Sequence, residues 1–196
     1  MGYPIVIGTD LYLSYRGNDY NYDLFKYDGT TLTEIPSPTG FNGSYKGYVY
    51  NPLEVSTLVI GTDLYMRYLG NDDNYDLFKY DGATLTEIPS PVGFNGAGCG
   101  YMGDPVVVGT DLYLKYKGND DNFDLFKYDG VSLTEISSPV NFNGSGGKGY
   151  CGDPYSDPIV VGTDLYLRYL GNDDNFDLFK YDGTTLTEIP SPANFN

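Results

Sequence analysis

The fold is decided by one segment, GTDLYLRYLGNDDNFDLFKYDGTTLTEIPSP (Gly162–Pro192), because close copies of it occur four times. The copies, called repeats 1 to 4 below, begin at Gly8, Gly61, Gly109 and Gly162. Repeats 2 and 4 differ at only three of their 31 positions. A motif that recurs about every 50 residues indicates structural units that stack in a row or around a ring.

Each repeat predicts four short antiparallel strands. In repeat 3 these are Val106–Val108, Leu112–Lys117, Phe123–Asp129 and Leu133–Ile136, separated by turns rich in Gly, Asp and Asn. Asp129-Gly130 is a typical hairpin turn, and no segment shows the 3.6-residue period of a helix. Both faces of the two middle strands carry apolar residues, as expected for a blade packed between two neighbours.

We therefore predict an all-β fold, specifically a single-domain, four-bladed β-propeller of four-stranded repeats over residues 1–196. The predicted blades, joined by Gly/Tyr-rich linkers, are approximately residues 4–38, 57–91, 105–139 and 158–192. Two alternatives stay open: half of a larger ring closed by a second chain, and an elongated β array.

The repeat resembles the ELWxxDGT repeats, a family of bacterial and mostly cell-surface proteins. Tyr12-Leu13 matches the L-Y-F strand of that family, Asp23-Leu24-Phe25 matches E-L-W, and Asp28-Gly29-Thr30 matches D-G-T. Every repeat has Phe in place of the motif Trp, and Ala83 and Val131 replace the Thr. The resemblance implies a β-propeller at a cell or virion surface, outside the cell.

The charge of the chain limits the classes of molecule that it can bind. Eleven basic residues stand against 27 acidic ones, a net charge of −16, which opposes binding to nucleic acid and to anionic membranes. The charge favours cations, basic partners or neutral ligands such as sugars, or it serves only to keep a tyrosine-rich surface soluble. No apolar run has transmembrane length, and Met1–Val6 lacks the features of a secretion signal.

Enzymatic chemistry is not expected. The chain has no His, so neither a Ser–His nor a Cys–His nucleophile can form. Carboxylates are abundant, but acid–base catalysis needs two of them in different environments, whereas four similar repeats supply similar environments. Cys99 and Cys151 lie at non-equivalent linker positions, and the sequence leaves open whether they form a disulfide.

One face of the predicted blades collects the Gly-Asn-Asp-Asp-Asn turns and the linkers, and we expect ligands there. Carboxylates and amides bind sugar hydroxyls, aromatic rings stack on sugars, and repeated weak sites gain avidity. The sequence thus predicts a multivalent, lectin-like carbohydrate-binding module. The alternative is a structural or surface-display protein, such as an extracellular or virion appendage subunit, that self-associates. The candidate ligand-binding residues are Asp19, Asn21, Asp72, Asn74, Asp120, Asn122, Asp173, Asn175, Tyr48, Tyr101 and Tyr150.

The same turns contain Asp-x-Asn-x-Asp, a spacing that calcium loops share. No cofactor is expected to be obligatory, and calcium is the metal that this spacing favours. The Gly and Glu that complete an EF-hand loop are absent, which favours the alternative of Asx-type turns. The candidate metal ligands are Asp19, Asn21, Asp23, Asp72, Asn74, Asp76, Asp120, Asn122, Asp124, Asp173, Asn175 and Asp177.

Each repeat also carries one constant lysine on its third strand. We expect these lysines to form salt bridges with a nearby Asp or with the Glu of the fourth strand. The lysines are Lys26, Lys79, Lys127 and Lys180.

Overall fold

The computed structural model describes residues 4–49, 57–103, 105–151 and 158–192. The chain forms two compact units, one of residues 1–103 with repeats 1 and 2, the other of residues 104–196 with repeats 3 and 4. In the described residues every regular element is a β-strand except one 3-10 turn, Val140–Phe142. None of their helices is long and apolar enough to cross a membrane. The all-β prediction is confirmed, whereas the closed ring of four blades stays a prediction.

Four strands form each repeat, and a two-residue strand follows each of the first three repeats. The first unit contains β1 (Ile5–Ile7), β2 (Asp10–Arg16), β3 (Tyr22–Tyr27), β4 (Leu32–Ile35), β5 (Gly47–Tyr48), β6 (Thr57–Ile60), β7 (Asp63–Leu69), β8 (Tyr75–Tyr80), β9 (Leu85–Ile88) and β10 (Gly100–Tyr101). The second unit contains β11 (Val106–Val108), β12 (Asp111–Lys117), β13 (Phe123–Tyr128), β14 (Leu133–Ile136), β15 (Gly149–Tyr150), β16 (Ile159–Val161), β17 (Asp164–Leu170), β18 (Phe176–Tyr181) and β19 (Leu186–Ile189).

Within a repeat the four long strands pair in sequence order as an antiparallel meander, as predicted. In repeat 3, Val108 lies opposite Asp111, Lys117 opposite Phe123, and Tyr128 opposite Leu133. The third and fourth strands are joined by the Asp-Gly turn. In repeat 1, for example, the Asp28 carboxylate accepts the backbone N–H groups of Thr30 and Thr31 at 2.8 and 2.7 Å.

The two-residue strands were not predicted, and two of them, β5 and β15, connect the two repeats of a unit. Gly47 of β5 pairs in parallel with Tyr22 at the start of β3. On its other side β5 runs antiparallel to β7 of repeat 2, with Gly47 opposite Leu69 and Tyr48 opposite Tyr68. The strand β15 joins β13 and β17 in the same way. Each of these linkers therefore continues the hydrogen-bonded sheet from one repeat to the next.

The core of each unit lies between two repeats. We call the face of a repeat that carries Leu11, or its counterpart, the leading face, and the opposite face, with Tyr12 or its counterpart, the trailing face. In the first unit, the trailing face of repeat 1 packs against the leading face of repeat 2, with Tyr12 and Tyr80 in an edge contact at 5.9 Å. In the second unit, Tyr113 and Tyr181 make the same contact at 5.8 Å. Blade-to-blade packing thus explains the apolar residues on the trailing faces of repeats 1 and 3 and on the leading faces of repeats 2 and 4.

The constant lysines bond to the Asp at the start of the second strand. Lys26 lies 2.6 Å from Asp10, and Lys79, Lys127 and Lys180 make the equivalent pairs at the same distance. Of the two partners expected from the sequence, the nearby Asp is the one observed. The hydrogen bond to Asp10 raises the pKa of Lys26. Because these pairs are partly exposed to water, each contributes little to stability.

Arg67, on the second strand of repeat 2, is a buried charged residue. Its guanidinium donates to the Met102 carbonyl at 2.8 Å and lies 4.9 Å from the centre of the Tyr75 ring. In repeat 4, Arg168 lies 4.2 Å from the centre of the Phe176 ring. The first aromatic residue of the third strand therefore packs under a cation in both repeats.

Candidate functional site

The Gly-Asn-Asp-Asp-Asn turns of repeats 2 to 4 and the Gly-Asn-Asp-Tyr-Asn turn of repeat 1 are all Asx-type turns. The first Asp of the motif accepts the backbone N–H of the Asn two residues later, at 3.1 Å in each repeat. The residue between them has a positive φ of 66 to 68°. Those four residues are Tyr20, Asp73, Asp121 and Asp174.

The third member of each Asp-x-Asn-x-Asp set lies on the third strand and accepts a hydrogen bond from the Ser that follows the fourth strand. Asp76 accepts the backbone N–H of Ser90 at 3.1 Å, and Asp124 accepts the Ser138 hydroxyl at 2.8 Å. Burial raises the pKa of Asp76 and of Asp124, and the hydrogen bonds from the serines oppose that shift. These hydrogen bonds explain why Ser-Pro recurs at the end of every repeat.

The side chains of the Asp-x-Asn-x-Asp sets bond to one another. Asn74 donates its amide N–H to Asp76 at 3.3 Å, and Asn122 donates to Asp120 at 2.9 Å. Across the described ranges, no three acidic, Cys or His side chains converge as a metal site would require. The observed hydrogen bonds are those of the Asx-turn alternative, which we favour over calcium binding. Both Cys99 and Cys151 are present as thiols.

Each turn of repeats 2 and 4 is held by the linker that precedes it. The Asn71 side chain accepts the backbone N–H of Gly43 at 2.8 Å, and its own backbone N–H donates to Gly40 at 2.6 Å. Lys46 of the linker forms an ion pair with Asp73 at the tip of the turn. In the second unit the equivalent bonds join Asn172 to the linker, and Lys148 pairs with Asp174. The linker and the turn thus form one fixed surface.

A pocket opens beside this surface in repeat 2 and again in repeat 4. The repeat-2 pocket has a volume of about 380 Å³ and the repeat-4 pocket about 510 Å³. Seven equivalent positions line both pockets: one aromatic residue, three acids, two Asn and one linker residue. In repeat 2 they are Gly40, Phe41, Asn71, Asp72, Asn74, Asp76 and Glu87. In repeat 4 they are Asn141, Phe142, Asn172, Asp173, Asn175, Asp177 and Glu188.

The aromatic floor of each pocket is rigid. Phe41 is 8% exposed and meets Phe78 edge-on at 4.8 Å, and Phe142 meets Phe179 edge-on at 4.9 Å. Glu87, from the fourth strand, is an exposed acid of the pocket lining. Restricted contact with water, and then the charges of Asp76 and Asp72, raise the pKa of Glu87. A neutral molecule rich in hydroxyl groups suits such a lining, because carboxylates and amides accept and donate hydrogen bonds there.

The structure brings together most of the predicted polar residues but not the predicted tyrosines. Asp72, Asn74, Asp173 and Asn175 line the two pockets, while Asp19, Asn21, Asp120 and Asn122 form the equivalent turns of repeats 1 and 3. The prediction that Tyr48, Tyr101 and Tyr150 stack on a ligand is wrong, because they are only 3%, 1% and 2% exposed. They belong to the two-residue strands, and Tyr48 packs on Tyr68 at 5.8 Å.

Sequence reasoning missed the pocket residues Phe41, Phe142, Glu87 and Glu188. Their signal was present, since Phe-Asn recurs at each linker start and Glu recurs in every fourth strand. It also missed an exposed aromatic pair. The rings of Tyr20 and Tyr45, 47% and 59% exposed, are stacked 5.2 Å apart.

No protein-family model and no curated protein matches the chain, so the resemblance to the ELWxxDGT repeats stays a prediction. Among solved structures, the chain is similar to a mutant of the Aleuria aurantia lectin in complex with alpha-methyl-L-fucoside, with 11% identity and a TM-score of 0.47. It is also similar to a mutant of AofleA from Arthrobotrys oligospora, with 9% identity and a TM-score of 0.46.

These two similarities cover 93% and 94% of this chain but only 57% and 54% of the two solved chains. The chain therefore spans little more than half the length of the structures it matches. Structural similarity with TM-scores this low does not indicate a function for this chain.

Proposed function

We propose that the chain is a non-enzymatic, multivalent carbohydrate-binding protein built from propeller-type blades, with neutral glycans as ligands. The observation that carries the proposal is the occurrence of two equivalent pockets with the same set of acids, amides and one aromatic ring. Two weak sites on one chain would gain affinity for a surface that displays many copies of a glycan.

The charge of the pockets selects among glycans. Each pocket is lined by three acids, and the whole chain carries a net charge of −16. Sialylated or sulfated glycans would be repelled, whereas the hydroxyl groups of neutral sugars can donate to the carboxylates. Neutral monosaccharides and their oligomers are therefore the ligand class that fits.

The test compares two variants on immobilised neutral glycans. The double variant Glu87→Gln/Glu188→Gln keeps the shape of both pockets and removes one charged acceptor from each. Loss of a charge-assisted hydrogen bond, about 1.5–3 kcal/mol, predicts binding at least about tenfold weaker. Glu34→Gln is the matched control, since Glu34 occupies the same place in repeat 1 and lies outside both pockets. Equal binding by the double variant and the control would refute this assignment of the site.

A second candidate function, structural assembly on a surface, is favoured by one observation. The trailing face of repeat 4 leaves Leu178 45% exposed, although its counterpart Leu125 is 1% exposed. Electron microscopy of the purified protein separates the two functions: long filaments favour the structural role, and discrete particles favour the glycan-binding role.

A further inference from the structure

Among the described residues of the first unit, no blade packs on the leading face of repeat 1. Its residues Leu11, Leu13, Tyr15 and Phe25 are partly buried, Tyr27 is 36% exposed and Val6 is 62% exposed. In repeat 2 the counterparts of the first five residues pack against repeat 1 and are at most 6% exposed. They are Leu64, Met66, Tyr68, Phe78 and Tyr80. The apolar surface on repeat 1 therefore has the composition of a blade contact that lacks its partner.

Among the described residues of the second unit, no blade packs on the trailing face of repeat 4 either. Leu178, Ile159 and Val161 are 45%, 64% and 57% exposed. Their counterparts in repeat 3 pack against the leading face of repeat 4. These counterparts are Leu125, Val106 and Val108. The two uncovered surfaces are thus of the two kinds that pack on each other inside each unit.

We propose that a second copy of this chain covers these surfaces, with the trailing face of repeat 4 in one copy on the leading face of repeat 1 in the other. The internal contacts supply the geometry, since repeat 1 on repeat 2 and repeat 3 on repeat 4 use the same residues at the same positions. Such a contact is head-to-tail, so it either closes a larger ring or extends a stack. It does not depend on the glycan proposal.

The charge of the chain predicts how this association depends on salt concentration. Two copies with a net charge of −16 each repel at long range, while the exposed side chains that the contact would bury, such as Tyr27 and Leu178, are apolar. Added salt screens the repulsion and leaves the burial of apolar side chains intact. Self-association should therefore become stronger, not weaker, as the salt concentration rises.

The test is sedimentation equilibrium of the full chain at low and high salt. We expect a mass above the monomer value of 21.6 kDa that increases with protein concentration and with salt. Leu178→Asp places a charge on the trailing face of repeat 4, and Val6→Asp places one on the leading face of repeat 1. Both side chains are exposed, so each variant should keep the thermal midpoint of the wild type and sediment as a monomer.

A mixture of the two variants makes the test specific. Each variant retains one intact face, so an equimolar mixture should recover one contact and sediment as a dimer. Val131→Asp is the matched control, because Val131 is 88% exposed in an Asp-Gly turn away from both faces, and it should associate like the wild type. A wild-type chain that stays monomeric at every concentration and salt, as it would if repeats 1 and 4 packed on each other within one chain, would overturn the proposal. A mixture that stays monomeric would overturn it as well.

Discussion

Gly100 is the residue whose replacement tests the linker contacts most sharply. It has a φ of +94°, and a Cβ there would overlap the carbonyl oxygen of Tyr75 and lie 2.6 Å from the Asn74 side chain. Gly82 has nearly the same φ, +95°, but a Cβ there would meet nothing within 4 Å. Gly100→Ala and Gly82→Ala therefore share the backbone strain and differ only in the steric clash.

The expected losses of stability follow from the backbone strain and the steric clash. Strain at positive φ costs about 1–2 kcal/mol, which is the whole effect expected for Gly82→Ala. In Gly100→Ala the strand β10 must also move away from β8, which loses packing worth about 1–3 kcal/mol and weakens the bond from Tyr75 N–H to the Cys99 carbonyl. We expect a total loss of about 3–5 kcal/mol, or a thermal midpoint lowered by roughly 10–15 °C.

Scanning calorimetry and urea unfolding measure the difference in stability between the Gly100→Ala and Gly82→Ala variants. The second unit offers an independent pair, since Gly149 approaches the Phe123 carbonyl while Gly183, with a matching φ, has open space. Gly149→Ala should lose more stability than Gly183→Ala by the same margin. If the two members of either pair lose equal stability, the close approach of the linker strand to the third strand is refuted.

Three further predictions concern buried hydroxyls, pH and calcium. Among the described residues, the buried hydroxyls of Tyr68 and Tyr169 have no hydrogen-bond partner, so Tyr68→Phe and Tyr169→Phe should leave the free energy of unfolding unchanged or raise it by up to about 1 kcal/mol. A loss above about 1 kcal/mol in urea unfolding would contradict this. Raised pKa values at Asp76, Asp124, Glu87 and Glu135 mean that the folded state binds more protons than the unfolded state, so the thermal midpoint should rise as pH falls from 7 towards about 5. Below about pH 4 the thermal midpoint should fall. Hydrogen bonds lower the pKa of Asp28 to about 2 and also lower the pKa values of Asp81, Asp129 and Asp182, so protonation of these acids favours the unfolded chain. A midpoint that falls steadily from about pH 7 downwards would be inconsistent with these shifts. Because the turn side chains bond to one another, millimolar calcium should leave the thermal midpoint unchanged, and a concentration-dependent rise would instead show binding to the folded state.

Strands and turns could be predicted because their signals are local. Alternation along Leu112–Lys117 and the Asp129-Gly130 turn depend on neighbours in sequence, and the structure has both as expected. The packing of one repeat on the next also followed from the pattern, since apolar residues on a strand face require a neighbour to cover them.

The linkers could not be predicted in the same way, because their contacts lie outside the repeat. Gly47-Tyr48 has no strand pattern of its own and becomes a strand only between β3 and β7. Tyr48 was thus expected at the surface although it is buried. The pockets could not be predicted for the same reason. Phe41 and Glu87 are far apart in sequence, and both line one pocket only when the linker packs on the next repeat.

The central claim is that the repeated pockets bind neutral glycans, and a glycan array tests it most directly. The array should be probed with the wild type and with Glu87→Gln/Glu188→Gln, each in calcium and in chelator. We predict binding to a set of neutral glycans that chelation does not change and that the double variant loses. An array with no bound glycan, or binding that the double variant retains in full, would contradict the account.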